Sequence, residues 1–399
     1  MKDNSRAPGP VDFAQAIAPI TPEVFFAEYF EKKHLVVRRQ DPGYYRDLLT
    51  VADIDRVLTT QMIPGEELQL VNNGRAIETP DYVMPSGFVD PVRVVRHFSE
   101  GSTAVLPGLQ KRLPNLAAYC RALETVFCVD LQTNIYFTPD NAQGFRTHYD
   151  SHDVIVLQVH GSKTWKIYES PLELPLRSQA FSPEGFVPGK LIDTFVLHAG
   201  DMAYVPRGVV HDAIATEEIS LHITTGLLTQ TWLDLMVEAI AELALDDPAF
   251  RRAIPPGHAN PGFDRTGARQ TFRDLLARAA DKIDPDRTLD GFAEEFRRRR
   301  GPVVPGQLFQ LFGAEAIAPG TEVCRRPDLI HAISLRDDEV VLSVYGAEIA
   351  FPAHCEVSLR DALARPGFRV GDLAGDLDEE GQAVMLRRLV QEGVFYTPG

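Results

Sequence analysis

Thr147-His148-Tyr149-Asp150, followed by Asp153-Val154-Ile155-Val156-Leu157-Gln158-Val159-His160-Gly161-Ser162-Lys163-Thr164-Trp165-Lys166-Ile167-Tyr168, decides how this chain folds. Val154 to Val159 is β-branched and apolar, His160-Gly161-Ser162 reads as a turn, and Lys163 to Tyr168 alternates. The stretch predicts strand, turn, strand. His148 and Asp150 lie two apart, which on a strand puts both side chains on one face. Further on, Gly200 to Gly208 predicts turn, short strand, turn. His211 follows it, and Ile219 to Thr225 is a further strand. Strand-turn units of this kind predict a closed or double-sheet jelly roll. His148, Asp150 and His211 make two imidazoles and one carboxylate, a donor set that leaves coordination positions open and suits Fe(II) reacting with O2.

Spacing alone cannot carry that reading. With 11 His and 56 acidic residues in 399, His-x-Asp/Glu arises between one and two times by chance. It occurs twice, at His148/Asp150 and at His354/Glu356. Only the first pair is followed by a further His on a neighbouring predicted strand, so only the first is a candidate site.

The length predicts two or three domains, and 44% hydrophobic residues can fill their cores. No apolar run is long enough for a membrane helix. The polar opening Met1-Lys2-Asp3-Asn4-Ser5-Arg6 shows no secretory segment. Cys120, Cys128, Cys324 and Cys355 form neither a CxxC spacing nor a disulfide framework, which predicts a reducing cytoplasm that also suits Fe(II). The net charge of −16 disfavours bulk nucleic-acid binding and favours basic partners. By itself it implies only solubility.

Elsewhere, Pro22 to Phe30 predicts a helix capped by Thr21, Leu35 to Arg39 a short strand, and Val51 to Leu58 a helix. Thr231 to Leu245, Thr271 to Ile283 and Leu289 to Arg300 predict three more helices. The run Arg297-Arg298-Arg299-Arg300 suits a helix C-terminus better than a nucleic-acid patch. In the last hundred residues, Leu329 to Phe351 predicts strands turning at Asp337-Asp338 and Gly346. Val357 to Leu363, Val370 to Leu373 and Glu379 to Glu392 predict short helices. This order is winged-helix-like, but the acidic start Asp376-Leu377-Asp378-Glu379-Glu380 of its last helix would repel a phosphate backbone. The module reads as one for protein contact or packing.

Gln132-Thr133-Asn134-Ile135-Tyr136-Phe137-Thr138-Pro139, His148-Tyr149-Asp150 with Asp153-Val154, Gln158 to Trp165, and Gly200-Asp201 with Pro206-Arg207-Gly208-Val209-Val210-His211 together resemble the JmjC-type oxygenases of the cupin superfamily, in their ribosomal-oxygenase branch. Glu31 to Arg39 resembles that branch too. The resemblance is strongest over 131–226. It implies an α+β chain: a double-stranded β-helix (jelly-roll, cupin, JmjC) core with an N-terminal extension over 1–229, a helical dimerisation segment over 230–302 and a winged-helix-like domain over 303–399.

It also implies roles. His148, Asp150 and His211 would bind Fe(II), which 2-oxoglutarate would chelate through its keto-acid end before O2 reacts. Lys163 would meet the distal carboxylate, helped by the Thr224 hydroxyl. Asn134 and Tyr136 would meet the cosubstrate and the target side chain. His222 aligns with a histidine that is not a ligand, and reads as a satisfied core residue. Gly226 stands where the eukaryotic histidyl hydroxylases of the branch carry a serine that contacts the target, so His, Arg or another target residue stays open. The implied activity is hydroxylation of a basic, ribosomal protein by a homodimer. The alternatives are hydroxylation of a small molecule or biosynthetic peptide, N-methyl-lysine demethylation, and a DNA-binding regulator with a ligand-sensing cupin.

Overall fold

The computed structural model describes residues 11–398. The polar opening stretch lies outside the described residues. The chain divides into two compact units. One runs to Thr229 and takes in Val303–Phe312 and Arg326–Leu329; the other comprises Gln230–Pro302, Gly313–Arg325 and the residues from Ile330.

The first unit begins with helices α1 (Phe13–Ile17) and α2 (Pro22–Glu28), then β1 (Leu35–Val37), α3 (Val51–Thr60), β2 (Gln69–Asn72), β3 (Arg75–Ala76), α4 (Pro91–Ser99), β4 (Thr103–Pro107) and α5 (Pro114–Phe127). Thr21 caps α2 as expected, its hydroxyl accepting from Val24 N. The strand-rich part follows: β5 (Asp130–Thr138), β6 (Asp153–His160), β7 (Ser162–Tyr168), β8 (Leu191–His198), β9 (Met202–Val205), β10 (Val210–Ala215) and β11 (Ser220–Leu228). Eight strands form one sheet in the order β1-β9-β6-β11-β5-β4-β2-β3, and three form a second, β10-β7-β8.

β6 and β7 are consecutive yet belong to different sheets. The chain crosses between them at Gly161, whose φ is +63°, and a Cβ there would stand 1.9 Å from the Ile219 carbonyl oxygen. The continuous apolar run of β6 is explained by burial on both faces. Val154 and Val156 pack with Trp165, Ile167, Phe195, Leu197, Ala203 and Val205 from β7, β8 and β9. Ile155, Leu157 and Val159 join the larger core, with Phe13, Phe25 and Tyr204. Each such side chain withdrawn from water contributes about 1.5–3 kcal/mol.

The second unit opens with α6 (Trp232–Asp246), α7 (Thr266–Lys282) and α8 (Pro285–Arg299); a short helix α9 (Gln307–Gly313) starts in the first unit's share of the chain. Arg298 and Arg299 in the last turn of α8 pair with Glu295 of the same helix. Beyond lie β12 (Glu322–Arg325), β13 (His331–Arg336), β14 (Glu339–Val344), β15 (Ala347–Pro352), α10 (Glu356–Ala364), β16 (Gly367–Arg369), α11 (Glu379–Gln391) and β17 (Phe395–Tyr396). The hairpin turns fall at Asp337 and at Tyr345-Gly346, all with positive φ. The helix expected over Val370 to Leu373 is absent. Gly371 has φ +106°, outside helical space, and its N–H and that of Leu373 are bound instead by the Gln382 side chain. No described helix is long and apolar enough to cross a membrane.

Candidate metal and anion site

His148 and Asp150 do not lie on a strand; they precede β6 by a few residues. What aligns them is a single bridge to β10. His148 N donates to His211 O at 3.0 Å and His211 N to His148 O at 2.8 Å, so the two histidines stand opposite each other across an isolated β-bridge. Gly208 N binds Asp150 O at 2.9 Å. The hydroxyls of Thr147 and Tyr168 both donate to Asp212 Oδ2, at 2.8 and 2.7 Å, tying the loop before His148 to the strand carrying His211. Burial and that bond push the Tyr168 phenol up to about 12.

Both imidazoles are oriented by their own chain. His148 Nδ1 lies 2.8 Å from Arg146 O and His211 Nδ1 lies 2.9 Å from Val209 O, which assigns the proton to Nδ1 and leaves Nε2 to accept a metal. Each Nε2 is 3.7 Å from an Asp150 carboxylate oxygen. One donor atom from each of the three residues lies within 4.8 Å of the others, a separation one cation can close. Burial and the neighbouring His148 keep His211 below the ordinary histidine range, hence neutral. The donor set therefore fits Fe(II). His354 and Glu356 show no such convergence; Glu356 pairs with Arg360 at 2.8 Å.

The triad opens on a cavity whose walls include Tyr136, Lys163, Trp165, His222 and Thr224. Lys163 is 3% exposed, and its ammonium donates to Thr138 Oγ1 at 3.1 Å. Among the described residues no carboxylate pairs with it, and burial lowers its pKa to about 7. A buried amine of this kind, aimed into a cavity, fits a carboxylate ligand. Thr224 lines the same cavity. Asn134 sits opposite Thr224 on β5, one step outward, and is not among the lining residues.

His222 departs from the sequence reading. It is buried, but its Nδ1 has no hydrogen-bond partner among the described residues, so it is not a satisfied core histidine. It stacks on Tyr136 at 4.7 Å and 2°, and faces the cavity. Burial and the charge of Lys163 hold it well below the ordinary histidine value. Sequence reading also missed Thr138, Asp212 and the aromatic neighbours Trp165, Phe145 and Phe181 of the two histidines. Only Asp212, adjacent to His211, carried a signal.

Residues 109–235 match the family model described as "JmjC domain". The chain is 31% identical over 359 residues to ribosomal oxygenase 1 of Homo sapiens, covering 86% of this chain and 51% of the relative. It is 34% identical over 252 residues to the bifunctional lysine-specific demethylase and histidyl-hydroxylase NO66 of Dictyostelium discoideum, covering 61% and 48%. The chain thus spans about half the length of these relatives. Among solved structures it resembles Escherichia coli YcfD, with TM-score 0.54 and 16% identity over 95% of this chain and 98% of that one. The YcfD complex with cobalt and 2-oxoglutarate gives TM-score 0.51 and 16% identity over 94% and 97%. At these identities the likeness shows the fold.

Proposed function

The chain is a JmjC-domain protein of the ribosomal-oxygenase branch, and from that premise we propose that it is an Fe(II)- and 2-oxoglutarate-dependent dioxygenase that hydroxylates a His or Arg residue of a basic ribosomal protein. The observation that carries the reading is the pairing, in one cavity, of a two-His-one-Asp donor set with a buried lysine that has no anionic partner among the described residues. His148, Asp150 and His211 would hold the metal. Fe(II) with 2-oxoglutarate and O2 supplies the oxidant that places one oxygen atom in a C–H bond, leaving succinate and CO2.

The chain's own residues do the rest. Lys163 binds the cosubstrate's far carboxylate, with the hydroxyls of Thr138 and Thr224 beside it. Half-buried Tyr136, stacked on buried His222, shapes that end of the cavity with it and keeps water from it. Tyr136 and Asn134 orient the target side chain. The exposed apolar residues Trp232, Leu233, Met236 and Val237 of α6 and Phe272 of α7 support a homodimer through 230–302. The C-terminal winged-helix-like region serves protein contact. Four free cysteines agree with a reducing, cytoplasmic setting. N-methyl-lysine oxidation is the second reading, favoured by the similarity to the Dictyostelium discoideum bifunctional demethylase and hydroxylase.

The test is mass spectrometry of ribosomal proteins, taken from cells lacking the gene and incubated with the enzyme, Fe(II), 2-oxoglutarate and O2. One added oxygen on one basic segment is expected. Oxidation of small molecules alone would replace the reading, and loss of a methyl group would favour the demethylase.

A further inference from the structure

The face of the sheet that bears the cavity has an outward end with its own chemistry. His222, Thr224 and Gly226 share that face on β11, and their partners on β5 are Tyr136, Asn134 and Gln132. Exposure rises along it, from buried His222 through half-buried Thr224 and Asn134 to exposed Gln132. Gly226 belongs to the outward end, yet it is buried. The cover is the ring of His152. A Cβ at Gly226 would lie 2.5 Å from His152 Cδ2 and 2.7 Å from Nε2. So position 226 is glycine because an imidazole from the turn after Asp150 fills the space. Among the described residues neither ring nitrogen of His152 has a hydrogen-bond partner. Along the neighbouring strand β5, Gln132 Nε2 donates to Asn134 Oδ1 at 3.4 Å, leaving the Gln132 side-chain carbonyl oxygen to accept.

We propose that His152, seated over Gly226, is a specificity-determining residue: with Gln132 and Asn134 it forms a hydrogen-bonding collar for a target side chain that carries N–H groups. This inference rests on the protein-hydroxylase reading above. The imidazole and a side chain at 226 compete for one space, so the collar can be furnished from either position but not from both. A site that hydrogen-bonds its substrate rejects analogues lacking the matching group, because its own polar atoms are then left unpaired.

The test compares the full chain with His152→Ala, His152→Gln, Gly226→Ser and the double variant His152→Ala/Gly226→Ser. The probes are ribosomal protein from cells lacking the gene, then a short synthetic peptide spanning the oxidised site. Melting temperature is measured alongside. Gly226→Ser is expected to melt a few degrees lower, and the double variant to recover that loss because the ring is gone. His152→Ala is expected to bind the peptide about tenfold more weakly, the cost of one or two hydrogen bonds. His152→Gln restores part of the affinity, as does the double variant through its serine. Melting effects that simply add would show that the two positions do not share space and overturn the proposal. Wild-type peptide affinity in a folded His152→Ala variant would overturn it too. A wild-type enzyme that oxidises no ribosomal protein would remove the protein-hydroxylase reading and this inference with it.

Discussion

Lys163 is the residue whose environment says most about chemistry. Its amine is sheltered, bound to one hydroxyl and unpaired with any described carboxylate. A charge-assisted contact in such a place is worth about 1.5–3 kcal/mol, so Lys163→Ala should weaken 2-oxoglutarate binding by about 10- to 150-fold. Iron affinity should change far less. Succinate release against 2-oxoglutarate concentration, with calorimetry of Fe(II) under argon, checks both; an unchanged succinate curve would remove Lys163 from the site. The pH dependence follows from its depressed pKa. Burial lowers the folded-state value to about 7, so above that pH the unfolded chain holds a proton that the folded, ligand-free chain lacks. Stability should therefore rise with pH from about 7 toward the ordinary lysine range. Carboxylate binding favours the charged amine, so it should take up a proton above about pH 7 and weaken as pH rises further. Calorimetry in two buffers of different ionisation enthalpy reads that uptake.

The metal site depends at the level of elements on one short bridge. His148 is not in a strand, and its alignment with His211 comes from two backbone hydrogen bonds and from the Asp212 carboxylate that holds Thr147 and Tyr168. Removing that carboxylate with Asp212→Ala should loosen the His148 loop and lower Fe(II) affinity about tenfold, as outer-shell changes do. Calorimetric titration of ligand-free protein measures it, and wild-type affinity would mean that the bridge alone suffices. The crossing from β6 to β7 is equally local. Gly161 has φ +63° with the Ile219 carbonyl oxygen where a Cβ would be. Gly161→Ala must move backbone, so a fall in melting temperature of several degrees, about 2 kcal/mol or more, is expected.

Charge and exposed apolar surface act on the scale of the whole chain. The −16 net charge should speed capture of a basic segment, and added salt should slow it because the attraction is screened over about 8–10 Å. Salt-independent capture kinetics would favour a small, uncharged substrate instead. In the second unit, Trp232 is 75% exposed and Met236 60%, both on α6. Apolar residues of this size gathered on one helix call for a covering surface. The expected result is a dimer by light scattering at micromolar concentration, and a monomer would reject it.

Sequence by itself determined the strand pair β6 and β7, the strand β11, several of the helices, and which three residues, His148, Asp150 and His211, the structure would bring together. Periodicity, capping and turn chemistry are local, and they are written in neighbouring residues: the β-branched run of β6, the Thr21 cap, the apolar spacing of α6. The Val370 to Leu373 segment misled because a short apolar stretch looks helical until Gly371 adopts a φ that no helix allows. Tertiary structure alone decided which sheet each strand joins, and so that β6 and β7 part company at Gly161. It alone decided that His222 lacks a partner and faces the cavity, that Lys163 is sheltered among Tyr136, His222 and Thr138, and that His152 fills the place of a side chain at 226. Each of these depends on contacts between residues far apart in the chain. A polar atom's partner, or the lack of one, is set by what the fold brings beside it.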